Sequence, residues 1–246
     1  MSNPENFLTA EWHYLAMLNY EVDPDILMPF VPPGTELDDW YGKTYVSLVG
    51  FLFWNTRVWG IPVPFHADFE EINLRFYVKR LVGEKWRRGV VFIKEIVGRP
   101  LVAFVARRIY NENYTTLPTR HSIEEIIVEG ARQLSVQYAW QFKNRWNHID
   151  LKTQGMLMDV VPDSIEEFIT DHYWGYVNTK KGYTLEYQVE HPPWQVWQSK
   201  EFSMDYDIVG SYGEEFAESL NVVSSSAFLV RGSPVAVRRA VRLKEE

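Results

Sequence analysis

The chain has 246 residues, of which 46% are hydrophobic and 15% aromatic, and its net charge is −8. This length suits one large domain or two small ones, and the composition excludes an intrinsically disordered chain. The acidic charge argues against a role in nucleic-acid binding, because phosphate contacts need a basic surface. The absence of cysteine excludes disulfides, thiolate nucleophiles and cysteine metal sites.

No targeting or membrane segment is predicted. The first six residues are polar and acidic, unlike a signal peptide, and no apolar run approaches the ~20 residues that a membrane helix needs. We therefore expect a cytoplasmic protein without a membrane partner. No internal repeat, low-complexity segment or linker interrupts the chain, which predicts a single domain over residues 1–246.

Aromatic and β-branched residues dominate the first part of the chain and favour strands. Residues 7–20 are predicted as a first strand that is buried on both faces. Asp23 and Pro24 then have the types expected at a helix N-cap and first helical position, so a short helix should follow. Residues 44–54 form an apolar run typical of a central strand, in which Gly50 marks a bulge or a close backbone approach.

Within the segment 69–78, residues 71–78 alternate between polar and apolar side chains. In a strand, successive side chains point to opposite faces, so the polar set would share one face that lines a cavity or meets water. That set comprises Glu71, Asn73, Arg75 and Tyr77. The apolar runs 89–96 and 101–105 are predicted as neighbouring strands, although residues 101–110 also fit a short helix.

Hairpins and short helices are predicted for the second half of the chain. Residues 122–128 fit either a helical turn or a strand edge. Ser164 and Glu167 have capping-box spacing and predict a helix that ends near residues 174–175. The remaining expected elements are a hairpin of 134–142 with 146–151, a strand over 183–189, a short helix over 212–220, and a hairpin of 226–230 with 235–243.

Familiar catalytic motifs are absent from the sequence. No HExxH pair occurs among the six scattered histidines, so no metal site is predicted. A G-x-S-x-G nucleophile elbow is also missing, which argues against hydrolysis by an activated serine. Without a G-x-G-x-x-G segment or a P-loop, no nucleotide cofactor is expected.

Two carboxylates are the candidate catalytic residues. Glu71 and Arg75 are separated by about 13 Å along a strand, with Asn73 between them to bridge the gap. The alternative is a row of polar residues that faces solvent on an antiparallel sheet. Glu112 lies between Tyr110 and Tyr114, where aromatic surroundings would raise its pKa and suit it to acid or base work. Its alternative is a loop carboxylate that bonds the backbone or an arginine.

Three stretches together carry a resemblance to a known family. The chain resembles the YqjF-like family of uncharacterised bacterial proteins, which is similar to the acetoacetate decarboxylase-like superfamily, and the match reaches nearly to the end of the chain. The stretches are 68–78, then 89–92 through 110–114, and finally 173–176 followed by 191–194.

This resemblance implies a mainly β (α+β) fold: a strongly curved antiparallel sheet closed into a cone-like barrel, with a few peripheral helices and an internal cavity. The decarboxylase mechanism needs a Schiff-base lysine with a second lysine beside it. The aligned position follows Pro100, where this chain has Leu101 and Val102. The superfamily's barrel carboxylates, which align near Ser47 and before Ile61, are also missing. Schiff-base decarboxylation is therefore not expected.

Two hypotheses follow. In the first, the barrel binds or converts a small carboxylic or carbonyl compound. Arg75 or Arg99 would anchor its anionic group, and Glu112 or Glu71 would act as acid or base. Asn73 would contribute to binding, and the walls would come from Tyr110, Tyr114 and Trp174. In the second, the protein is a non-catalytic scaffold or interaction protein with a plugged barrel. An exposed sheet edge would offer a surface for a homodimer.

Overall fold

The computed structural model describes residues 6–62, 67–100, 103, 113–128 and 131–243. The segment 101–112, for which a helix or a strand was expected, lies outside the described residues apart from Ala103. Within the described part of the chain, no helix is long and apolar enough to cross a bilayer.

The described chain is built mainly from antiparallel strands. They are β1 (Asn6–Val22), β2 (Glu36–Leu37), β3 (Thr44–Val58), β4 (Ile61–Pro62), β5 (Phe69–Val82), β6 (Lys85–Val97), β7 (Tyr114–Thr116), β8 (Thr119–Val128), β9 (Ala131–Phe142), β10 (Arg145–Asp159), β11 (Trp174–Asn178), β12 (Thr184–Glu190), β13 (Gln195–Asp205), β14 (Ser226–Arg238) and β15 (Val241–Arg242).

The described helices are short, and each is one or two turns long. They are α1 (Pro24–Leu27), α2 (Ile165–Thr170), α3 (Ile208–Tyr212) and α4 (Ala217–Leu220), with 3₁₀ turns at Met28–Phe30 and Glu214–Phe216. As the sequence predicts, Asp23 caps α1 by accepting from the Asp25 N–H, and Ser164 caps α2 by accepting from the Glu167 N–H.

The strands form one continuous sheet. Its order is β15-β12-β11-β6-β5-β3-β1-β14-β13-β10-β9-β8, and β12 also pairs with β14. That extra pairing closes part of the sheet into a ring, whose strands follow the order β12-β11-β6-β5-β3-β1-β14. The sequence prediction of a mainly β fold is thus confirmed.

The sheet separates two hydrophobic cores. Alternate residues of β1, β3 and β5 enter each core because strand side chains alternate between faces. We call the face that carries Met17, Val49 and Tyr77 the inner face. Helix α2 adds Phe168 and Ile169 to this core, while β9, β10 and helices α3 and α4 cover the opposite face.

Several sequence predictions are confirmed at the level of elements. The first strand, the central strand, the strand that follows Asp68 and the β9–β10 hairpin are all present. Gly50 marks a close approach, because a Cβ there would lie 2.7 Å from the Tyr138 ring. Of the two readings of residues 122–128, the strand is the one observed, since this segment pairs along its whole length with β9.

Two expectations were wrong, and the long strand β13 was not predicted. Helix α2 ends at Thr170 instead of near residues 174–175, because the following aromatic residues pair with β12 and β6 as β11. The expected hairpin of 226–230 with 235–243 is a single strand, β14. Both of its halves pair with β1, and Gly232 adopts a positive φ of 89° between them. The sequence of strand β13 has no clear apolar alternation, so nothing in it predicted a strand.

Candidate ligand-binding site

The polar residues of β5 lie buried on the inner face of the sheet. Glu71 is 2% exposed, Asn73 1% and Arg75 7%. Both the polar and the apolar side chains of this segment are therefore buried, on opposite faces of the strand. The alternative of a solvent-facing polar row was wrong. Burying these groups is unfavourable unless each has a hydrogen-bonding partner or an opposite charge, so their contacts define the site.

Glu71 is held through both of its carboxyl oxygens. Asn73 Nδ2 donates to Oε1 at 3.0 Å, and the Tyr114 hydroxyl donates to Oε2 at 2.8 Å. Burial raises the pKa of Glu71 to about 7, although these two hydrogen bonds and the charge of Arg75 act in the opposite direction. Near neutral pH the side chain can therefore either accept or release a proton, as a general acid or base requires.

Arg75 is a buried cation without an ionic partner among the described residues. Its Nε has no hydrogen-bond partner, and its Nη2 lies 4.0 Å from the Met17 sulfur. The guanidinium carbon stands 5.8 Å from the centre of the Tyr77 ring. The Oδ1 of Asn73 is likewise buried without a partner. The inner face thus presents an unpaired donor beside an unpaired acceptor.

A hydrogen-bonded chain fixes the neighbouring strands behind this cluster. Ser47 Oγ donates to Asn19 Oδ1 and accepts from the Tyr77 hydroxyl, each at 2.5 Å. Asn19 Nδ2 donates in turn to Ser226 Oγ at 2.9 Å. The sequence analysis missed Asn19 and Ser47 as part of the site. A weak indication of both was present in the sequence, since each is a polar residue within a largely apolar strand.

A second buried group, also missed from sequence, adjoins Tyr77. His172 packs with its ring centre 4.6 Å from that of Tyr77, and its Nε2 lies 3.4 Å from Asp38 Oδ2. The Arg88 Nε donates to the same Asp38 oxygen at 2.7 Å. Burial lowers the pKa of His172 to about 4, so the imidazole is neutral near pH 7.

The structure brings together some of the predicted site residues. Tyr114 joins Glu71, Asn73 and Arg75 on the inner face. Trp174 does not join them: it packs against the opposite core, with the Arg87 guanidinium 4.1 Å above its ring. Arg99 is exposed. Glu112 and Tyr110 lie outside the described residues.

An open groove of about 610 Å³ lies on the surface, and none of the buried polar residues of β5 lines it. Its lining includes Glu11, Arg57, Glu190 and His191. The His191 ring is stacked between Tyr173 and Trp194, with ring centres 4.6 and 4.0 Å away. Among the described residues, no group of three or more metal-ligating side chains is placed to hold an ion.

The fold has close counterparts among solved structures, and these define the class of the protein. The enduracididine biosynthesis enzyme MppR complexed with pyruvate superposes with a TM-score of 0.67 at 14% identity, over 99% of this chain and 92% of that chain. Acetoacetate decarboxylase from Legionella pneumophila gives a TM-score of 0.65 at 10% identity, over 99% and 92%. The chain therefore has the acetoacetate decarboxylase-like fold.

The sequence comparisons identify the family. Residues 9–231 match the DUF2071 family, described as an uncharacterized conserved protein, and the chain belongs to that family. The uncharacterized protein YqjF of Bacillus subtilis (strain 168) is 24% identical over 186 residues, which cover 74% of this chain and 72% of that protein. The YqjF-like resemblance read from the sequence is thus confirmed.

Proposed function

We propose that this protein binds a small organic anion, a carboxylic or carbonyl compound, on the inner face of the sheet. Arg75 anchors the anionic group, and Glu71, on the same face of β5 with Asn73 between them, is the acid or base. The observation that carries the proposal is the guanidinium of Arg75, which is buried and has no ionic partner in the described part of the chain. A ligand carboxylate would supply the missing partner.

The surrounding residues support this assignment. Asn73 and Tyr114 hold Glu71 in place, and a pKa of about 7 leaves the carboxyl group able to exchange a proton with a ligand. MppR, a protein of the same fold, has been solved in complex with pyruvate, which is a small keto acid. The ligand class proposed here is chemically related to that compound.

The proposed chemistry does not use a Schiff base. The resemblance puts the nucleophilic lysine immediately after Pro100, where this chain has Leu101 and Val102. Lys94 is partly buried, but its Nζ donates to the Ser211 carbonyl at 2.6 Å. It lies near the ring of Tyr212, which belongs to the core on the opposite face, so it does not reach the inner face. Binding and proton transfer are therefore the roles that we assign to the inner face, without imine formation.

The second candidate is a scaffold with a filled interior. Helix α2 favours it, because Phe168 packs 5.3 Å from Tyr77 and 6.0 Å from Tyr45 between ring centres, and so fills part of the inner face. Such a protein would keep the fold and bind no small carboxylate. The two candidates thus predict different responses to the same ligands.

A calorimetric and thermal-shift screen of small carboxylates distinguishes them. We expect the wild type to be stabilised by at least one carboxylate, by about 2.7 kcal/mol at 100 times its dissociation constant. Arg75→Met should abolish this response. Arg80→Met is the matched control: Arg80 is on the same strand but is paired with Glu186, so its loss should leave the response intact. A wild type that responds to no carboxylate would support the scaffold.

A further inference from the structure

His172 is a buried polar side chain that the proposed function does not use. Its side chain is 2% exposed, and it lies between the rings of Tyr77 and Phe168. Both ring nitrogens are buried without a hydrogen-bond partner among the described residues; Nε2 lies 3.4 Å from Asp38 Oδ2, and Nδ1 has no polar contact of this kind. An imidazole nitrogen buried without a partner is unfavourable, which points to a missing ligand group.

Asp38 determines which imidazole nitrogen carries the proton. Burial alone would raise the pKa of Asp38, but the facing His172 ring and the hydrogen bond from Arg88 lower it to about 2, so this carboxylate is ionised. An ionised carboxylate only accepts hydrogen bonds, and therefore the facing nitrogen, Nε2, bears the hydrogen. In the neutral ring, Nδ1 is then a bare acceptor. Asp38 is a positioning residue in this arrangement.

His172 and Arg75 border the same ring. The centre of the Tyr77 ring lies 4.6 Å from that of His172 and 5.8 Å from the guanidinium carbon of Arg75. The charges of both Arg75 and Arg88 also act to lower the pKa of His172, which agrees with this proximity. A small molecule that binds Arg75 and lies along the Tyr77 ring would extend towards His172.

We propose that the ligand is a 2-hydroxy acid, whose carboxylate binds Arg75 and whose hydroxyl group donates a hydrogen bond to Nδ1 of His172. The inference rests on the proposed function and narrows its ligand class. A guanidinium calls for an anion, whereas a bare imidazole nitrogen and the unpartnered Oδ1 of Asn73 both call for a hydrogen-bond donor. A 2-hydroxy acid carries both groups on adjacent carbons, and a simple carboxylic acid carries only the first.

The test compares ligands that differ by one hydroxyl group. Calorimetry would measure the dissociation constants of lactate against propionate, and of glycolate against acetate, for the wild-type protein. One hydrogen bond of ordinary net strength makes each hydroxy acid bind about fivefold more tightly. His172→Phe should remove this preference and leave the affinity for propionate unchanged. His148→Phe is the control, because His148 faces Asp150 at 3.2 Å on β10, which covers the opposite face, and its loss should not affect the preference.

Nitrogen NMR of histidine-labelled wild type provides a second readout that does not depend on a folded Phe variant. The His172 ring, assigned from the spectrum of His172→Gln, should carry its proton on Nε2, and lactate but not propionate should shift the Nδ1 resonance. A proton on Nδ1, equal affinities within each ligand pair, or a preference that persists in His172→Phe would overturn the inference. If neither hydroxy acids nor simple acids bind the wild type, the proposed function fails with it. If simple acids bind as tightly as hydroxy acids, the proposed function is supported and the 2-hydroxy acid inference is wrong.

Discussion

Glu71 and Arg75 share the buried inner face of strand β5, yet the structure shows no ion pair between them. The carboxyl group of Glu71 is held instead by Asn73 and Tyr114, and the guanidinium of Arg75 contacts the Met17 sulfur. Four residues of extended strand place the two backbones about 13 Å apart, which is too far for direct pairing. Their separation leaves both groups available to a third, and this is the basis of the predictions about the site.

Arg75→Met should stabilise the ligand-free protein or leave its stability unchanged. Methionine is unbranched and apolar, and replacing a buried, unpaired cation with it removes a desolvation penalty. Urea unfolding measures this, with Arg80→Met as the reference. Because Arg80 is paired with the buried Glu186, its loss leaves that carboxylate with one arginine fewer and should destabilise the protein. A large loss of stability in Arg75→Met would instead make Arg75 a structural residue.

Glu71→Gln should change how stability depends on pH. The folded-state pKa of about 7 lies above the usual value of 4.5, so the folded protein binds the proton more tightly and ionisation opposes folding. The penalty is absent below pH 4.5, grows as pH rises from 4.5 to 7 and is complete above that, at about 3 kcal/mol. The variant should lack this contribution, so its stability in urea unfolding should rise relative to that of the wild type between pH 5 and 8. The same pH dependence in both proteins would contradict the raised pKa of Glu71.

His172→Gln should have the opposite effect on the same curve. The folded-state pKa of about 4 lies below the usual value of 6.5, so the unfolded chain takes up the proton first. His172 therefore contributes stability that is present above pH 6.5 and is lost as pH falls towards 4. In the wild type this rise with pH offsets the decline from Glu71, and the variant should reveal the decline. The prediction fails if both variants give the same slope.

Carboxylate binding should weaken as pH rises through about 7. The ligand stays anionic over this range, whereas Glu71 becomes charged and repels it across the site. Calorimetry between pH 6 and 8.5 should show the dissociation constant rising in the wild type and staying level in Glu71→Gln. A matching rise in the variant would assign the effect to another group.

Gly50→Ala should destabilise the protein by about 1–3 kcal/mol, as overpacking of a dense core does. The added Cβ would lie 2.7 Å from the ring of Tyr138, which is fully buried and anchored by its hydroxyl to the Tyr14 carbonyl at 2.8 Å. Thermal unfolding would measure the loss. Repeating the change in a Tyr138→Leu background should reduce it, because the ring that causes the clash is gone. Equal losses in both backgrounds would contradict this account.

The sequence by itself determined the local features whose causes are local. The alternation along residues 71–78 located a strand and grouped Glu71, Asn73 and Arg75 on one face, because side chains alternate in any extended chain. Capping residues likewise located the starts of α1 and α2. The end of α2 and the continuity of β14 were mispredicted, since strand pairing with distant segments decided both.

Only the tertiary structure decided which face the polar residues occupy and which distant groups join them. The same alternation fits a solvated face, and it is the ring of pairing strands that buries this one. Asp38 and His172 are far apart in the chain and form no sequence motif, because their contact depends on how β2 and α2 dock beside β5. Burial also shifted the pKa values of Glu71 and His172, since only the folded protein excludes water from these groups.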